Sequence, residues 1–337
     1  MPAIGYPDLL SNTVLSRAAS QTSRDLARVT EEVTSGLKSD LVEASGGDPF
    51  RLYQIERDLR LAESYRTNID LAEGRTTVTQ NALSQIEDTA SPFGVELLSL
   101  VTEGDIIGSE VIASNARDAF SSIIATLNSR FGDRSLFAGA ATDRAAVEDP
   151  DVILAEIESR VATAPDAATV VNIVNDYFFA DPAGYASTGY IGSTADAASA
   201  EVADGESISF ALRGDDAVFR QALESIALVV IAGEESFAGT NRDEKQALLE
   251  AASGQVISSS SDIVIARGEL GVAEARIEEL RVQAEAQRQT LEEARNRIVI
   301  RDQFEAVTEF TALETQLQTV FSITARLSGL NLTNFLR

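Results

Sequence analysis

The chain contains no cysteine, histidine or tryptophan, and its single methionine is residue 1. Without thiol or imidazole groups, Ser-His-Asp and Cys-His catalysis are excluded, and so are zinc sites built from thiolate or imidazole ligands. Disulfide bonds are excluded too, so cysteine pairing carries no information about the compartment. An enzyme made from this chain would have to work through carboxylates or hydroxyls alone.

Positive charge and aromatic side chains are also scarce. The 337 residues include 27 Lys and Arg against 53 Asp and Glu, which gives a formal net charge of -26 at pH 7. Because no dense basic patch is available to displace counterions from phosphates, we expect no nucleic-acid binding and no attraction to an anionic membrane. Aromatic residues make up only 6% of the chain, which suits helical bundles better than a thick globular core.

Long apolar runs and cofactor motifs are missing as well. No window approaches 18 uncharged apolar residues, so we expect no membrane insertion, and the N-terminus lacks the basic and apolar regions of a cleavable signal peptide. Walker, dinucleotide-binding and EF-hand motifs are absent. Acidic doublets such as Glu278-Glu279 point about 100° apart on a helix, which favours a solvated face over a metal site. We therefore predict no cofactor, metal or catalytic residue.

The chain does have a narrow apolar seam near each end. The N-terminal seam consists of Leu15, Ala19, Thr22, Leu26, Val29 and Val33. The C-terminal seam consists of Ile277, Leu280, Ala284, Gln287, Leu291, Ala294 and Ile298, and it resumes as Phe310, Leu313, Leu317, Val320, Thr324 and Leu327. Alternating steps of three and four residues predict coiled-coil helices. We expect the phase slip near Arg301 to change the supercoiling without ending the helix.

Helix boundaries are indicated by caps and breakers. The first helix is predicted from Asp8 or Ser11 to about Gly36. Asp48 followed by Pro49 is a strong start signal for a second, long helix to about Ala90, where the proline at 92 is expected to kink or interrupt it. Glycine weakens the C-terminal helix, and a break near Gly254 is expected.

The middle of the chain has a different character. Helical patterns there alternate with turn-rich stretches, and residues 206–214 alternate as a strand after an Asp204-Gly205 turn, with Ile208, Phe210 and Leu212 on one face. The predicted fold is therefore mainly α, a long antiparallel coiled-coil or helical bundle formed by the two terminal segments, with a small α+β domain inserted in the middle. The predicted domains are a terminal helical domain (1–40 and 300–337), a helical bundle domain (41–140 and 241–299) and the inserted outer domain (141–240).

Several short motifs, taken in order, carry a resemblance to a known family. They are Thr34-Ser35-Gly36-Leu37, Asp48-Pro49, the group Tyr65, Asn68 and Ile69, the group Asn128, Gly132, Leu136, Phe137, Ala138 and Gly139, and the terminal SGLNLTNFL. Together they resemble the bacterial flagellar hook-filament junction protein (hook-associated protein 3) of the flagellin superfamily. Flagellin itself is the nearest alternative, and an unrelated helical enzyme using carboxylates or hydroxyls is a distant one.

The resemblance implies a structural subunit of the flagellum, not an enzyme. Such a subunit is exported through the flagellar type III pathway without a cleavable signal and is extracellular. It assembles as a homo-oligomeric ring between another hook-associated protein on the hook side and flagellin on the filament side. An exposed apolar stripe at the C-terminus would suit an export chaperone, which the sequence leaves open.

Intersubunit packing is predicted for apolar residues of the two terminal helices, because their stripes cannot all be buried in one monomer. The residues are Leu15, Leu26, Val29 and Val33 in the first helix, and Phe304, Phe310, Leu313, Leu317, Val320, Leu327, Leu330, Leu332 and Phe335 in the last.

Overall fold

The computed structural model describes residues 7–103, 108–209, 212–234 and 237–335. Within the helices, the side chains of residues 7–12, 103 and 327–335 lie outside this description. Over the described ranges the chain forms ten helices and two antiparallel sheets of two strands each. The mainly α fold with long terminal helices and a small α+β middle is confirmed.

The elements follow one another along the chain with short connections. The helices are α1 (Pro7–Ser35), α2 (Leu41–Ala44), α3 (Phe50–Glu103), α4 (Ser109–Leu127), α5 (Pro150–Val161), α6 (Ala167–Phe179), α7 (Tyr185–Thr188), α8 (Ala217–Glu234), α9 (Arg242–Val299) and α10 (Gln303–Phe335). The strands are β1 (Arg130–Phe131), β2 (Arg134–Ser135), β3 (Ala200–Ala203) and β4 (Glu206–Ile208). The two longest helices, α3 and α9, have 54 and 58 residues.

Local capping explains where the N-terminal helices begin and end. Gly36 has φ 72°, the left-handed conformation that commonly ends a helix and that glycine adopts without steric cost. The Asp48 side chain accepts the backbone N–H of Phe50 at 3.0 Å, so the predicted start of α3 at Asp48-Pro49 is confirmed. The predicted end of α1 near Gly36 is also confirmed.

The structure shows neither an interruption of α3 at Pro92 nor the predicted break of α9 near Gly254, so these two predictions are wrong, whereas a kink at Pro92 stays a prediction. Helix α3 continues past Pro92 to Glu103, and α9 passes through Gly254 without a break. The Ser253 hydroxyl donates to the Gly94 carbonyl at 3.1 Å, and Phe93 beside the proline is buried. Packing of α9 against this part of α3 thus outweighs the local cost of the missing proline N–H and of the glycine.

The predicted continuation of the C-terminal helix through Arg301 is also wrong. Helix α9 ends at Val299 and α10 begins at Gln303. Between them Ile300 forms an antiparallel bridge with Leu37, because the Arg301 N–H donates to the Gly36 carbonyl at 3.0 Å and the Lys38 N–H donates to the Val299 carbonyl at 2.8 Å. The phase slip in the sequence therefore marks a true helix break.

The side chain of Asp302 starts the new helix. It accepts the backbone N–H groups of Phe304 at 2.9 Å and Glu305 at 3.1 Å. An aspartate followed three residues later by glutamate is typical of a helix start. This local signal could have revealed the break from the sequence.

The chain divides into two compact units. Unit 1 comprises Met1–Glu63 and Ala286–Arg337, and unit 2 comprises Ser64–Glu285. The boundaries between them fall inside α3 and α9. The three-domain division proposed from the sequence stays a prediction.

Unit 2 is organised around α8, a helix whose residues Ala222–Gly233 are all buried. It packs on α4 along one side and on α6 along another. Phe137 and Phe219 meet edge to face with ring centroids 5.1 Å apart. Residues of the middle segment, such as Val174, share one continuous core with Phe120 of α4 and Leu249 of α9.

Helices α3 and α9 run antiparallel in unit 2. Gly94 near the end of α3 contacts Ser253 near the start of α9. Further along, an ion pair joins Glu87 and Arg267. The predicted antiparallel pairing of the long helices is therefore present.

The stretch that follows α4 closes one end of the unit 2 core. Leu136, Phe137 and Ala138 are buried in the main core. Asn128, at the end of α4, accepts the backbone N–H groups of Ala146 and Val147, each at 2.9 Å, and its amide donates to the Val147 carbonyl at 2.9 Å. This asparagine thus holds the returning loop against the end of the helix.

The β3–β4 hairpin turns at Asp204-Gly205, as predicted, with Gly205 at φ 71°. Strand β4 ends at Ile208. Phe210, which was predicted on the same strand face, lies outside the described residues, and Leu212 packs against the main core.

Candidate assembly surface on the terminal helices

Helices α1 and α10 pack against each other in antiparallel orientation. Arg28 near the end of α1 pairs with Glu309 near the start of α10, and the Leu37–Ile300 bridge lies just beyond both helices. Val29 of α1 and Ala306 of α10 are fully buried. The two terminal seams therefore do pair within one chain.

The structure places the predicted packing residues in four groups. Val29 and Val320 are buried. Half-buried are Leu15, Leu26, Val33, Phe310, Leu313 and Leu317. Phe304 is 84% exposed, whereas the side chains of Leu327, Leu330, Leu332 and Phe335 lie outside the described residues. Packing of these positions against a neighbouring subunit stays a prediction.

A cluster of charged side chains lies where α1, α10 and their loops meet. Glu32 is only 3% exposed. Its carboxylate accepts the Ser39 N–H at 3.0 Å and pairs with Arg28 at 3.2 Å and with Arg301 at 3.4 Å. Sequence reasoning missed this cluster, since its members are far apart in the chain.

Arg301 connects this cluster to α10. Besides Glu32, its guanidinium pairs with Glu309 and, at 3.3 Å, with Glu305. Burial lowers the pKa of Arg28, but the carboxylates of Glu32 and Glu309 outweigh this effect and raise it. Through these ion pairs, Arg28 and Arg301 hold the residues around the α9–α10 break against the end of α1.

A cavity of about 290 Å³ opens beside the cluster. Its walls are almost entirely charged: Arg28, Glu32, Lys38, Asp40, Glu43, Ala44, Arg301 and Glu309. Asp40 uses its carboxylate to cap α2, accepting the N–H groups of Val42 and Glu43 at 2.9 Å each. Most of these groups are thus engaged in structural contacts, which is an arrangement suited to positioning a loop.

Large apolar side chains that the sequence analysis did not single out are exposed in unit 1. On α3, Phe50 is 64% and Tyr53 is 66% exposed, and on α10, Phe321 is 59% exposed. Val307 of α10 and Val14 of α1 are also exposed. Several large exposed apolar groups on one small unit are typical of an interaction surface.

Among the described residues, no three acidic side chains come together in a way that could hold a metal ion. In the same part of the chain, no helix combines the length and the apolarity needed to cross a membrane. The described part of the terminal helices presents exposed apolar side chains and ion pairs.

Residues 255–336 match the family model of the bacterial flagellin C-terminal helical region. Among solved structures, FlgL of Bacillus cereus aligns with a TM-score of 0.51 and 14% identity, covering 72% of this chain and 100% of that chain. A protein of Vibrio parahaemolyticus described as flagellar hook-associated aligns with a TM-score of 0.49 and 14% identity, covering 74% and 96%. No curated protein sequence matches the chain.

The family match covers most of α9 and also α10, the helix that carries the candidate surface. The likeness to FlgL concerns the fold alone. For residues 255–336, the family match confirms the resemblance to the flagellin superfamily that the ordered motifs indicated.

Proposed function

We propose that the protein is a structural subunit of the bacterial flagellum, a hook-associated junction protein that connects the hook to the filament. Assembly would proceed through the terminal helices α1 and α10. The match of residues 255–336 to the flagellin C-terminal helical region supports the flagellar role. The fold shared with FlgL supports a hook-associated protein over flagellin as the particular flagellar subunit.

The observation that carries this proposal is the exposed apolar face of α10. Phe304 and Phe321 are largely exposed in the single chain, although they lie on a helix that pairs with α1. Fully burying one such side chain against a neighbour contributes about 1.5–3 kcal/mol. Repeated around a ring, these contacts would favour assembly over the free subunit.

The proposal extends to partners and location. The subunit would be extracellular after export without a cleavable signal, form a ring, and contact another hook-associated protein on one side and flagellin on the other. A chaperone could cover the C-terminal stripe before export. No enzymatic role is proposed, which agrees with the structural flagellar proteins to which the chain is similar.

Flagellin remains the second candidate, because the matched family model is that of flagellin's own C-terminal region. The two functions differ in what is lost without the protein. Without a junction protein, cells would secrete unattached flagellin and bear bare hooks. Without flagellin, no filament protein would be found in the medium.

The test is to delete residues 320–337 and examine the cells by electron microscopy. We expect hooks without filaments and free flagellin in the medium, because the deletion removes the end of α10. Normal filaments on these cells would overturn the proposed role of the terminal helices. Missing filaments together with no other flagellin in the medium would favour the flagellin alternative.

A pair of point variants makes the test more specific. Phe304→Ser removes an exposed side chain from α10, whereas Phe179→Ser removes a partly exposed one from α6 of unit 2. We expect filament attachment to fall at least several-fold only for Phe304→Ser. Equal effects of both variants would argue against a surface located on α10.

A further inference from the structure

The β3–β4 hairpin covers an apolar seam that is separate from the main core. Ile69 and Ala72 of α3 and Ile277 and Leu280 of α9 are at most 2% exposed, and they form a cluster of their own. Val202 of β3 is the hairpin's buried contribution to this cluster. The hairpin therefore shields the line along which the two long helices meet at this level.

Side chains supply the polar contacts between the hairpin and the helices. The Asn68 amide donates to the Glu201 carbonyl at 2.7 Å, and the Tyr65 hydroxyl donates to the Glu201 carboxylate at 3.4 Å. On the other helix, the Arg276 guanidinium donates to Glu206 at 2.9 and 2.7 Å. Tyr65 and Asn68, which the sequence singled out, thus dock the hairpin.

The base of the hairpin is held far more firmly than its tip. Backbone hydrogen bonds join its two stems to residues 137–140: Ser193 N–H to the Ala138 carbonyl, Ala140 N–H to the Ala195 carbonyl, and Gly214 N–H to the Phe137 carbonyl, at 2.8–2.9 Å. An ion pair between Arg213 and Asp196 ties one stem to the other.

At the base of the hairpin, the backbone packs so closely on Gly139 that no side chain would fit there. This residue has φ 59°, and a Cβ atom there would lie 2.3 Å from the Ser193 carbonyl oxygen and 2.5 Å from that of Ala195. The stems therefore lie directly on the backbone of the loop that is fixed in the main core. Any movement of the hairpin has to occur beyond this base.

We propose that the β3–β4 hairpin is a strap that opens and closes over the α3–α9 seam about its fixed base, while the main core of unit 2 stays folded. A sheet of only two strands is marginally stable by itself. Its register is irregular between Glu201 and Ala203. Docking relies on the buried Val202, on the partly buried Ala203 and Ile208 that pack against the same cluster, and on a few exposed side-chain contacts. Opening therefore requires the loss of these contacts alone. The inference does not depend on the proposed flagellar role.

The test uses hydrogen exchange of the full chain, read by mass spectrometry. In the native protein we expect amides of residues 200–208 to exchange at least 100-fold faster than those of α8. Val202→Ala should accelerate exchange of the hairpin at least tenfold further and leave α8 unchanged. Ser207→Ala, on the exposed side of the same hairpin, is the matched control and should change neither.

Two outcomes would overturn the strap. One is that the hairpin exchanges at the same rate as α8 in the native protein. The other is that Val202→Ala accelerates exchange of the hairpin and of α8 equally. Either result would mean that the hairpin and α8 open together. If Val202→Ala fails to fold, Arg276→Ala is the alternative, because it removes only exposed ionic contacts, one to Glu206 of the hairpin and one to Glu279 of α9. It should then speed cleavage by a glutamate-specific protease at Glu201 or Glu206, and unchanged cleavage would contradict the proposal.

Discussion

Unit 1 and unit 2 differ in how much of their apolar surface they bury. Over the part of the chain that the structure describes, unit 1 buries seven apolar side chains: Val29, Leu52, Ile55, Ala62, Val299, Ala306 and Val320. Unit 2 has a continuous core that extends from Ala82 to Ile263. Its largest buried side chains include Phe120, Phe137 and Tyr185, whereas the described aromatic side chains of unit 1 are exposed or half-buried.

This difference indicates that the two units obtain their stability in different ways. Unit 2 contains enough buried apolar surface to fold as an ordinary domain. Unit 1 relies on a thin helix pair, on an ionic cluster around the buried Glu32, and on apolar surface that we propose is covered by other subunits. Segments of this kind gain much of their order on association.

Core truncation should separate the two units most clearly. Phe120 is fully buried in unit 2, and Phe304 is mostly exposed in unit 1. We expect Phe120→Ala to lower the free energy of unfolding of unit 2 by about 3–5 kcal/mol. Phe304→Ala should change monomer stability by less than about 0.5 kcal/mol. Denaturant unfolding followed by circular dichroism measures both, and similar losses would contradict the comparison.

Removing the buried carboxylate should loosen unit 1 specifically. Glu32→Ala leaves the Ser39 N–H and part of Arg301 without their partner, which we expect to cost roughly 1–3 kcal/mol. Hydrogen exchange of α1 should accelerate accordingly, while that of α8 stays constant. Glu31→Ala is the matched control because Glu31 is the exposed neighbour. Equal effects of the two changes would deny the cluster a structural role.

Substituting alanine for either of two glycines that lie in open space should change stability in opposite directions. A Cβ atom would meet nothing within 4 Å at Gly254 in α9 or at Gly36, but only Gly36 has a positive φ, 72°. Gly254→Ala should therefore stabilise unit 2 by about 1 kcal/mol. Gly36→Ala should destabilise unit 1 by about 1 kcal/mol, because alanine is strained in that conformation. Thermal unfolding and hydrogen exchange measure the two changes in stability. If both substitutions stabilise, or both destabilise, this explanation is refuted.

The smallest expected effect concerns pH. Burial raises the pKa of Glu224 in unit 2, and hydrogen bonds from Asn175 and Gln255 offset this only in part. A raised folded-state pKa means that the native state binds more protons, so stability falls as pH rises from the unfolded pKa through the folded one.

Glu224→Gln should remove this contribution. Its stability relative to the native protein should therefore increase as pH rises above the ordinary glutamate pKa of about 4.3, as measured by denaturant unfolding at each pH. Glu250→Gln alters an exposed glutamate of α9 and is the control. A stability difference for Glu224→Gln that does not change with pH would show that burial has no influence on the titration of Glu224.

Features set by short stretches of sequence were predictable. Asp48-Pro49 marked the start of α3, and Asp204-Gly205 marked the hairpin turn. The seam that contains Ile277 and Leu280 was read from its spacing, and both residues are buried. For the candidate surface, the spacing predicted apolar stripes but could not distinguish buried Val29 from half-buried Leu26, because both satisfy the same periodicity.

By itself, the sequence determined the mainly helical class, the caps and the two terminal seams, because these depend on residues within a few turns of each other. The tertiary structure decided where long helices continue or stop. Helix α3 continues through Pro92 because α9 packs there. Helix α9 ends before Ile300 because the backbone around Leu37, distant in sequence, forms hydrogen bonds with the residues around Ile300. Burial of Glu32 between two arginines and the placement of Val202 over the α3–α9 seam likewise depend on contacts between distant segments, which local periodicity does not encode.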